Sequence, residues 1–209
     1  MTQQRIIAVG DIHGCYSKLK KMLGRLQWSP DSGDLLIFLG DYIDRGPQSY
    51  DVVETLIELS ASPRVICLMG NHERMFLDFI SGQTLPSLYA NGIAATVRDY
   101  CSGDHEMSET HLTFLRNLKL YHETEHHIFV HAGLAPGRPL AEQTPHDMLW
   151  IREKFLQSDH DFGKTIVFGH TPFREPVVSP GRIGLDTGAV YGGSLTAVIL
   201  PEERFIYVD

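Results

Sequence analysis

One short pattern recurs along this chain and restricts what it can fold into. A run of apolar, largely β-branched residues of strand length is followed by glycine and then by a side chain able to hold a cation. The pattern stands at Gly10-Asp11, Gly40-Asp41, Gly70-Asn71 and Gly169-His170. Apolar runs at Ile6 to Val9, Leu35 to Leu39, Val65 to Leu68, Ile128 to Val130, Ile166 to Phe168 and Leu195 to Leu200 predict buried strands. Between the first two, Leu19, Met22, Leu23 and Leu26 share one helical face, with Ser17 as the expected N-cap. Between the second and third, Val52, Val53, Leu56 and Leu59 do the same. Asp11, Asp41 and Asn71 follow one another at intervals of 30 residues, the length of a βαβ unit. Right-handed crossovers return three such strand ends to one sheet edge, where α/β proteins place their sites. A single Gly-Asp is turn punctuation followed by a helix cap; four strand ends carrying the same signal call for a common cause.

Composition supports one α/β domain over 1–209. At roughly 150 residues per domain, 209 residues leave little for a second one, and 43% hydrophobic with 21% charged residues excludes disordered and fibrous classes. The stretch Gly82 to His127 carries no strand-end motif. Ser108 followed by Leu112, Leu115 and Leu118 predicts a helix there, so residues of about 82–127 are read as a helical insertion covering one side of the edge. A net charge of −8 argues against non-specific binding of nucleic acid or anionic membrane. Cys15, Cys67 and Cys101 are odd in number and widely spaced, which indicates neither a disulfide framework nor a thiolate metal site. The apolar runs are far below the ~18 residues of a membrane span. A reducing, cytoplasmic setting is expected, and a monomer suffices.

Collected at the strand ends and beside them are Asp11, His13, Asp41, Asp44, Asn71, His72, His131 and His170. Oxygen and imidazole donors without cysteine suit Mn, Fe or Zn in a reactive site, and there are too many for one ion. Asp41, from the middle strand, is placed to join an ion on Asp11 and His13 to a second on Asn71, His131 and His170. Two dications against two carboxylates and a hydroxide leave about one positive charge for a phosphate dianion.

These residues lie in the segments Gly10-Asp11-Ile12-His13-Gly14, Gly40-Asp41-Tyr42-Ile43-Asp44-Arg45-Gly46, Gly70-Asn71-His72-Glu73, His131-Ala132-Gly133 and Gly169-His170-Thr171. In that order they resemble the signatures of the PPP-type metallophosphoesterases, which include bacterial and phage serine/threonine protein phosphatases and symmetrical diadenosine tetraphosphate hydrolases. The resemblance runs from residue 10 to about 193. It implies a four-layer α/β-β/α sandwich of the calcineurin-like metallophosphoesterase type and two divalent ions, Mn first and Fe or Zn as alternatives. One ion is implied on Asp11, His13 and Asp41, the other on Asp41, Asn71, His131 and His170. It also implies His72 as proton donor to the leaving group, oriented by Asp44, which agrees with a histidine directly after a ligand and with the need of an alkoxide for an acid. Arg45 and Arg152 are the expected phosphate clamps, Asn71 a further phosphate contact, and Tyr191, in the late loop Asp186 to Gly193, a neighbour of the phosphate.

The expected activity is a phosphoprotein phosphatase acting on phosphoserine or phosphothreonine, with phosphotyrosine in reach, by in-line attack of a hydroxide bridging the two ions. The partner would be a phosphorylated protein or peptide. A symmetrical diadenosine tetraphosphate hydrolase is the alternative, disfavoured by the short chain; a non-catalytic binding module is a third reading, against which every expected ligand and His72 are present.

Overall fold

In the computed structural model, which describes residues 4–83, 90–101 and 107–209, neighbouring side chains of the central strands enter different cores. In β1 (Ile6–Val9), Ile6 and Ala8 pack in one cluster and Ile7 and Val9 in another. β2 (Leu35–Phe38) divides in the same way, Leu35 and Ile37 from Leu36 and Phe38. Period-2 alternation in a strand buried on both faces yields a continuous apolar run, which is why these segments stand out in the sequence.

The first sheet has the order β10-β9-β1-β2-β3, with β3 at Val65–Cys67, β9 at Leu195–Leu200 and β10 at Arg204–Val208. β1, β2 and β3 are parallel, whereas β9 runs antiparallel to β1 and to β10. The second sheet has the order β4-β5-β6-β8-β7: β4 is Tyr121–Glu123, β5 His127–Val130, β6 Thr165–Phe168, β7 Val177–Ser179 and β8 Arg182–Gly184. Phe129, Val167 and Ile183 of this sheet meet Ala8, Ile37 and Val198 of the first in one apolar layer. Outside the first sheet lie α1 (Tyr16–Leu26), α2 (Ser49–Ser60), α3 (Asn71–Ile80), α4 (Ile93–Cys101) and α5 (Glu109–Arg116), which contribute Leu19, Val53, Phe76, Ile93 and Leu115 to its outer core. Outside the second lie α6 (Pro145–Trp150) and α7 (Glu153–Leu156), with Met148 and Phe155 against Ile128, Val130 and Phe168. The result is a four-layer α/β-β/α sandwich. Among the described residues no helix is long and apolar enough to cross a membrane.

Two local expectations are corrected. Helix α1 starts at Tyr16, so Ser17 lies inside it; the cap position is Cys15, whose carbonyl accepts from Lys18 and Leu19 at 3.0 and 3.1 Å. The segment of 82–127 contains α4 and α5, the latter capped by Ser108 as expected, but its end is not helical. Met69 N–H donates to Lys119 O at 2.8 Å, and the chain then forms edge strand β4, antiparallel to β5. That part of the insertion falling on 84–89 and 102–106 lies outside the described residues. His127 and His111 are buried: His127 opens β5, and His111 links Tyr100 Oη at 2.8 Å to Glu54 at 2.7 Å. Strands β4, β7, β8 and β10 escaped the sequence reading because they are short or only half apolar.

Candidate metal centre

The ends of five strands meet along one edge of the sandwich. β1 delivers Asp11 and His13, β2 delivers Asp41, Asp44 and Arg45, and β3 runs into α3 with Asn71, His72 and Glu73; the facing sheet supplies His131 after β5 and His170 after β6. All but Arg45 are buried. The backbone is strained to bring them there. His13, Asp41, Asp44, Arg45 and His170 all have positive φ, between 45° and 71°, and among the described non-glycine residues only Gln27 and Glu203 share this. Such conformations cost about 1–3 kcal/mol each and persist where surrounding structure imposes them. Two strand-end glycines are required by close approach: a Cβ at Gly70 would collide with Asp41 Oδ1, and one at Gly169 with Asp11 Oδ1.

Two sets of three donors converge, each with ligand atoms within 4.8 Å of one another: His13, Asp41 and His72, and Asp41, His131 and His170. Asp41 belongs to both. Its Oδ2 faces His13 Nε2 at 3.4 Å and its Oδ1 faces His131 Nε2 at 3.4 Å. His13 Nδ1 donates to Ile43 O at 2.8 Å and His131 Nδ1 to Leu39 O at 2.9 Å. Burial pushes both imidazoles down, His13 to about 3, so near neutral pH each carries its one proton on Nδ1 and turns a bare Nε2 lone pair toward a carboxylate oxygen. Lone pairs facing lone pairs in a buried site repel unless cations lie among them, and this donor set therefore fits divalent ions. Arg45 Nη1 already reaches His13 Nε2 at 2.5 Å, which marks the same spot as one that favours positive charge.

Asn71 Oδ1 joins the second set, 2.9 Å from both His131 Nε2 and His170 Nδ1. Asp11 stands beside the first rather than within it, its carboxylate accepting from the His170 N–H at 3.0 and 3.2 Å. Burial, and then the carboxylates of Asp186 and Asp41, push Asp11 well above the usual range, and burial lifts Asp186 to about 6. Crowded carboxylates of this kind also call for cations.

Opposite Asp41, His72 Nδ1 lies 2.7 Å from Asp44 Oδ2, while its Nε2 is buried without a hydrogen-bond partner and lies 3.9 Å from Asp41 Oδ2. Burial pulls this imidazole down, but Asp41 and Asp44 outweigh it and leave it above its ordinary value. It is thus able to hold a proton at Nε2, aimed at the donor cluster. Asp44 is itself fixed by Thr96 of α4: Thr96 Oγ1 donates to Asp44 Oδ1 at 2.6 Å, and the Asp44 N–H lies 2.8 Å from the same hydroxyl.

Arg45 and Arg152 both act on the cluster. Arg45 touches His13 and stacks over Tyr191, 5.5 Å from its ring centroid. Arg152, half-buried at the start of α7, acts electrostatically on His131 and His170. Tyr191 is 63% exposed, at the mouth of the site rather than inside it.

Glu73, Thr96 and Asp186 were given no role by sequence reasoning. Glu73 is fully buried and accepts from four backbone N–H groups: Asp41 at 2.9 Å, Tyr42 at 2.7 Å, Ile43 at 3.3 Å and Gly70 at 2.9 Å. It thereby ties the strained turn after β2 to the start of α3. Its place directly after His72 was the signal available. Glu73→Gln replaces one acceptor oxygen by an NH₂ facing N–H donors; a loss of about 3 kcal/mol, or roughly 6–12 °C in Tm for a chain of this size, is expected by scanning calorimetry. An unchanged Tm would remove this role.

The sequence pattern of calcineurin-like phosphoesterases matches residues 4–199. The chain belongs to this family. Calcineurin-like phosphoesterases use a dinuclear metal centre, and the two donor sets sharing Asp41 could hold one. Among curated relatives, the asymmetrical bis(5'-nucleosyl)-tetraphosphatase PrpE of Geobacillus sp. (strain WCH70) is 31% identical, covering 98% of this chain and 94% of its own. The PrpE of the same designation from Anoxybacillus flavithermus (strain DSM 21510 / WK1) is 30% identical over 96% and 92%. Among solved structures, a protein put forward as a diadenosine tetraphosphatase superposes with a TM-score of 0.78 at 26% identity, covering 98% of this phosphoesterase and 93% of that chain. A cold-active protein tyrosine phosphatase gives 0.68 at 20% identity, covering 99% and 76%, a likeness of fold alone.

Proposed function

We propose that this phosphoesterase hydrolyses dinucleoside tetraphosphates at a dinuclear site, with phosphoserine and phosphothreonine monoesters of a protein partner as the second reading. The observation that carries the first is the pairing of Arg45 with the exposed ring of Tyr191 at the mouth of the buried cluster. That pairing offers a cation and a stacking face to the part of a nucleotide left outside. The two PrpE relatives, similar over nearly the whole of both chains, support it. The short chain counts against a symmetrical hydrolase, whereas these relatives are named asymmetrical and this sequence spans 94% and 92% of them. The second reading is favoured by His72: a general acid matters most when the leaving group is a poor one such as an alkoxide.

When bound, divalent ions, Mn²⁺ in the first instance, supply Lewis acidity toward phosphoryl oxygens and lower the pKa of water at the site. Asp11, His13 and Asp41 would hold one, and Asp41, Asn71, His131 and His170 the other. Arg45 and Arg152 bind the remaining phosphoryl oxygens, with Asn71 beside them. Asp44, fixed by Thr96, keeps His72 Nε2 aimed at the departing oxygen, to which it gives its proton.

The two readings separate in one comparison of kcat/KM on diadenosine tetraphosphate and on a phosphothreonine peptide with Mn²⁺ present. A preference of about 100-fold for the dinucleotide, with ATP and AMP as products, is expected. The same preference for the peptide would reverse the order, and ADP as the only product would make the cleavage symmetrical.

A further inference from the structure

Beside the catalytic edge, between the turn after β2 and helix α4, lies a hollow of about 240 Å³ lined by Arg45, Pro47, Ala95, Arg98 and Asp99. Ala95, Arg98 and Asp99 are spaced i, i+3, i+4 and form one face of α4, next to the buried Thr96 that fixes Asp44. The helix therefore builds the support of the proposed acid and one wall of this hollow. The other wall is anchored to it: the Arg45 N–H donates to Gly92 O at 3.2 Å, and Gly92, at φ +92°, leaves no room for a Cβ against Arg45 Cγ.

The charge in the hollow is unbalanced. The Arg98 side chain is exposed and, among the described residues, has neither a hydrogen bond nor an ion pair. The one carboxylate in the lining, Asp99, already accepts from the Tyr50 N–H at 2.7 Å. The Arg98 guanidinium thus borders a space whose single carboxylate is engaged, beside Arg45, whose guanidinium reaches His13 and Tyr191 at the donor cluster. The Ala95 and Arg45 N–H groups both donate to Gly92 O, so neither is left for a peptide strand, whereas an anion meets the fork of Arg98 and the positive charge of Arg45. The volume equals the share of about eight liquid waters, enough for a phosphate group with its oxygens. Arg45 borders this hollow and the donor cluster alike, so an anion here adjoins one held at Asp41.

We propose that Arg98 and Arg45 form a second anion subsite, which takes the phosphate next along the chain from the one attacked and makes Arg98 a specificity-determining residue for nucleoside polyphosphates. This rests on the dinucleoside tetraphosphate reading. The test follows para-nitrophenyl phosphate hydrolysis at fixed free Mn²⁺ with AMP and ADP as competitors. In Arg98→Ala the Ki of ADP is expected to rise about tenfold, the loss of one charge-assisted hydrogen bond, while that of AMP moves less than about twofold; Arg98→Lys restores part of the difference. With diadenosine tetraphosphate, KM rises by the same factor and kcat holds. Equal shifts for AMP and ADP, or none for either, overturn the subsite, as does an effect confined to phosphopeptides with acidic neighbours. Absence of any diadenosine tetraphosphate hydrolysis by the parent enzyme would sink the substrate reading, while the ratio of the two Ki values would still decide the subsite. A Tm matching the parent excludes unfolding as the cause.

Discussion

Asp41→Asn is expected to remove hydrolysis of every substrate, with kcat/KM on para-nitrophenyl phosphate in Mn²⁺ falling by about three orders of magnitude or more. Asp41 is the only side chain in both donor sets, one oxygen toward His13 and the other toward His131. Asparagine keeps the shape but surrenders the negative charge and one of the two oxygens, and metal-ion assistance is worth several kcal/mol of barrier. Bound metal, counted by elemental analysis after dialysis, should fall along with activity. A variant that kept a tenth of the activity and its full metal content would take Asp41 out of the centre.

The second large effect belongs to His72 and depends on what leaves. On a phosphothreonine peptide, His72→Asn should lower kcat by about 10²- to 10⁴-fold, the usual worth of a positioned general acid. On para-nitrophenyl phosphate the loss should be far smaller, because nitrophenolate departs without a proton. The geometry behind this is specific: Nδ1 is committed to Asp44, and Nε2 is the atom left without a partner, turned toward Asp41. Equal losses on the two substrates would show that the imidazole shapes the site instead of delivering a proton.

Much of this arrangement is legible before any coordinates. Strands buried on both faces write themselves as Ile-Ile-Ala-Val or Leu-Leu-Ile-Phe, and the 30-residue intervals place Asp11, Asp41 and Asn71 on one edge. His131 and His170 come from a different sheet, and no periodicity in the chain says that the two sheets stack; that came from the resemblance. Glu73, Thr96 and Asp186 stayed hidden for another reason. Their work is to satisfy backbone N–H groups or to aim another side chain, and nothing in residue type distinguishes a glutamate that accepts four amides from one facing water. Strand β4 was lost because Tyr-His-Glu on an exposed edge has no apolar alternation to detect.

The division of the donors between the two sheets has a mechanical consequence. Asp11, His13, Asp41 and Asn71 hang from the first sheet, His131 and His170 from the second, and between the sheets there is otherwise a layer of interdigitated side chains such as Phe129 and Val167. Ions held at Asp41 would act as a clasp at the open end of that layer. Any slippage of one sheet over the other would separate the halves of the site before it disturbed either half, so the register of the sandwich and the integrity of the centre are one property.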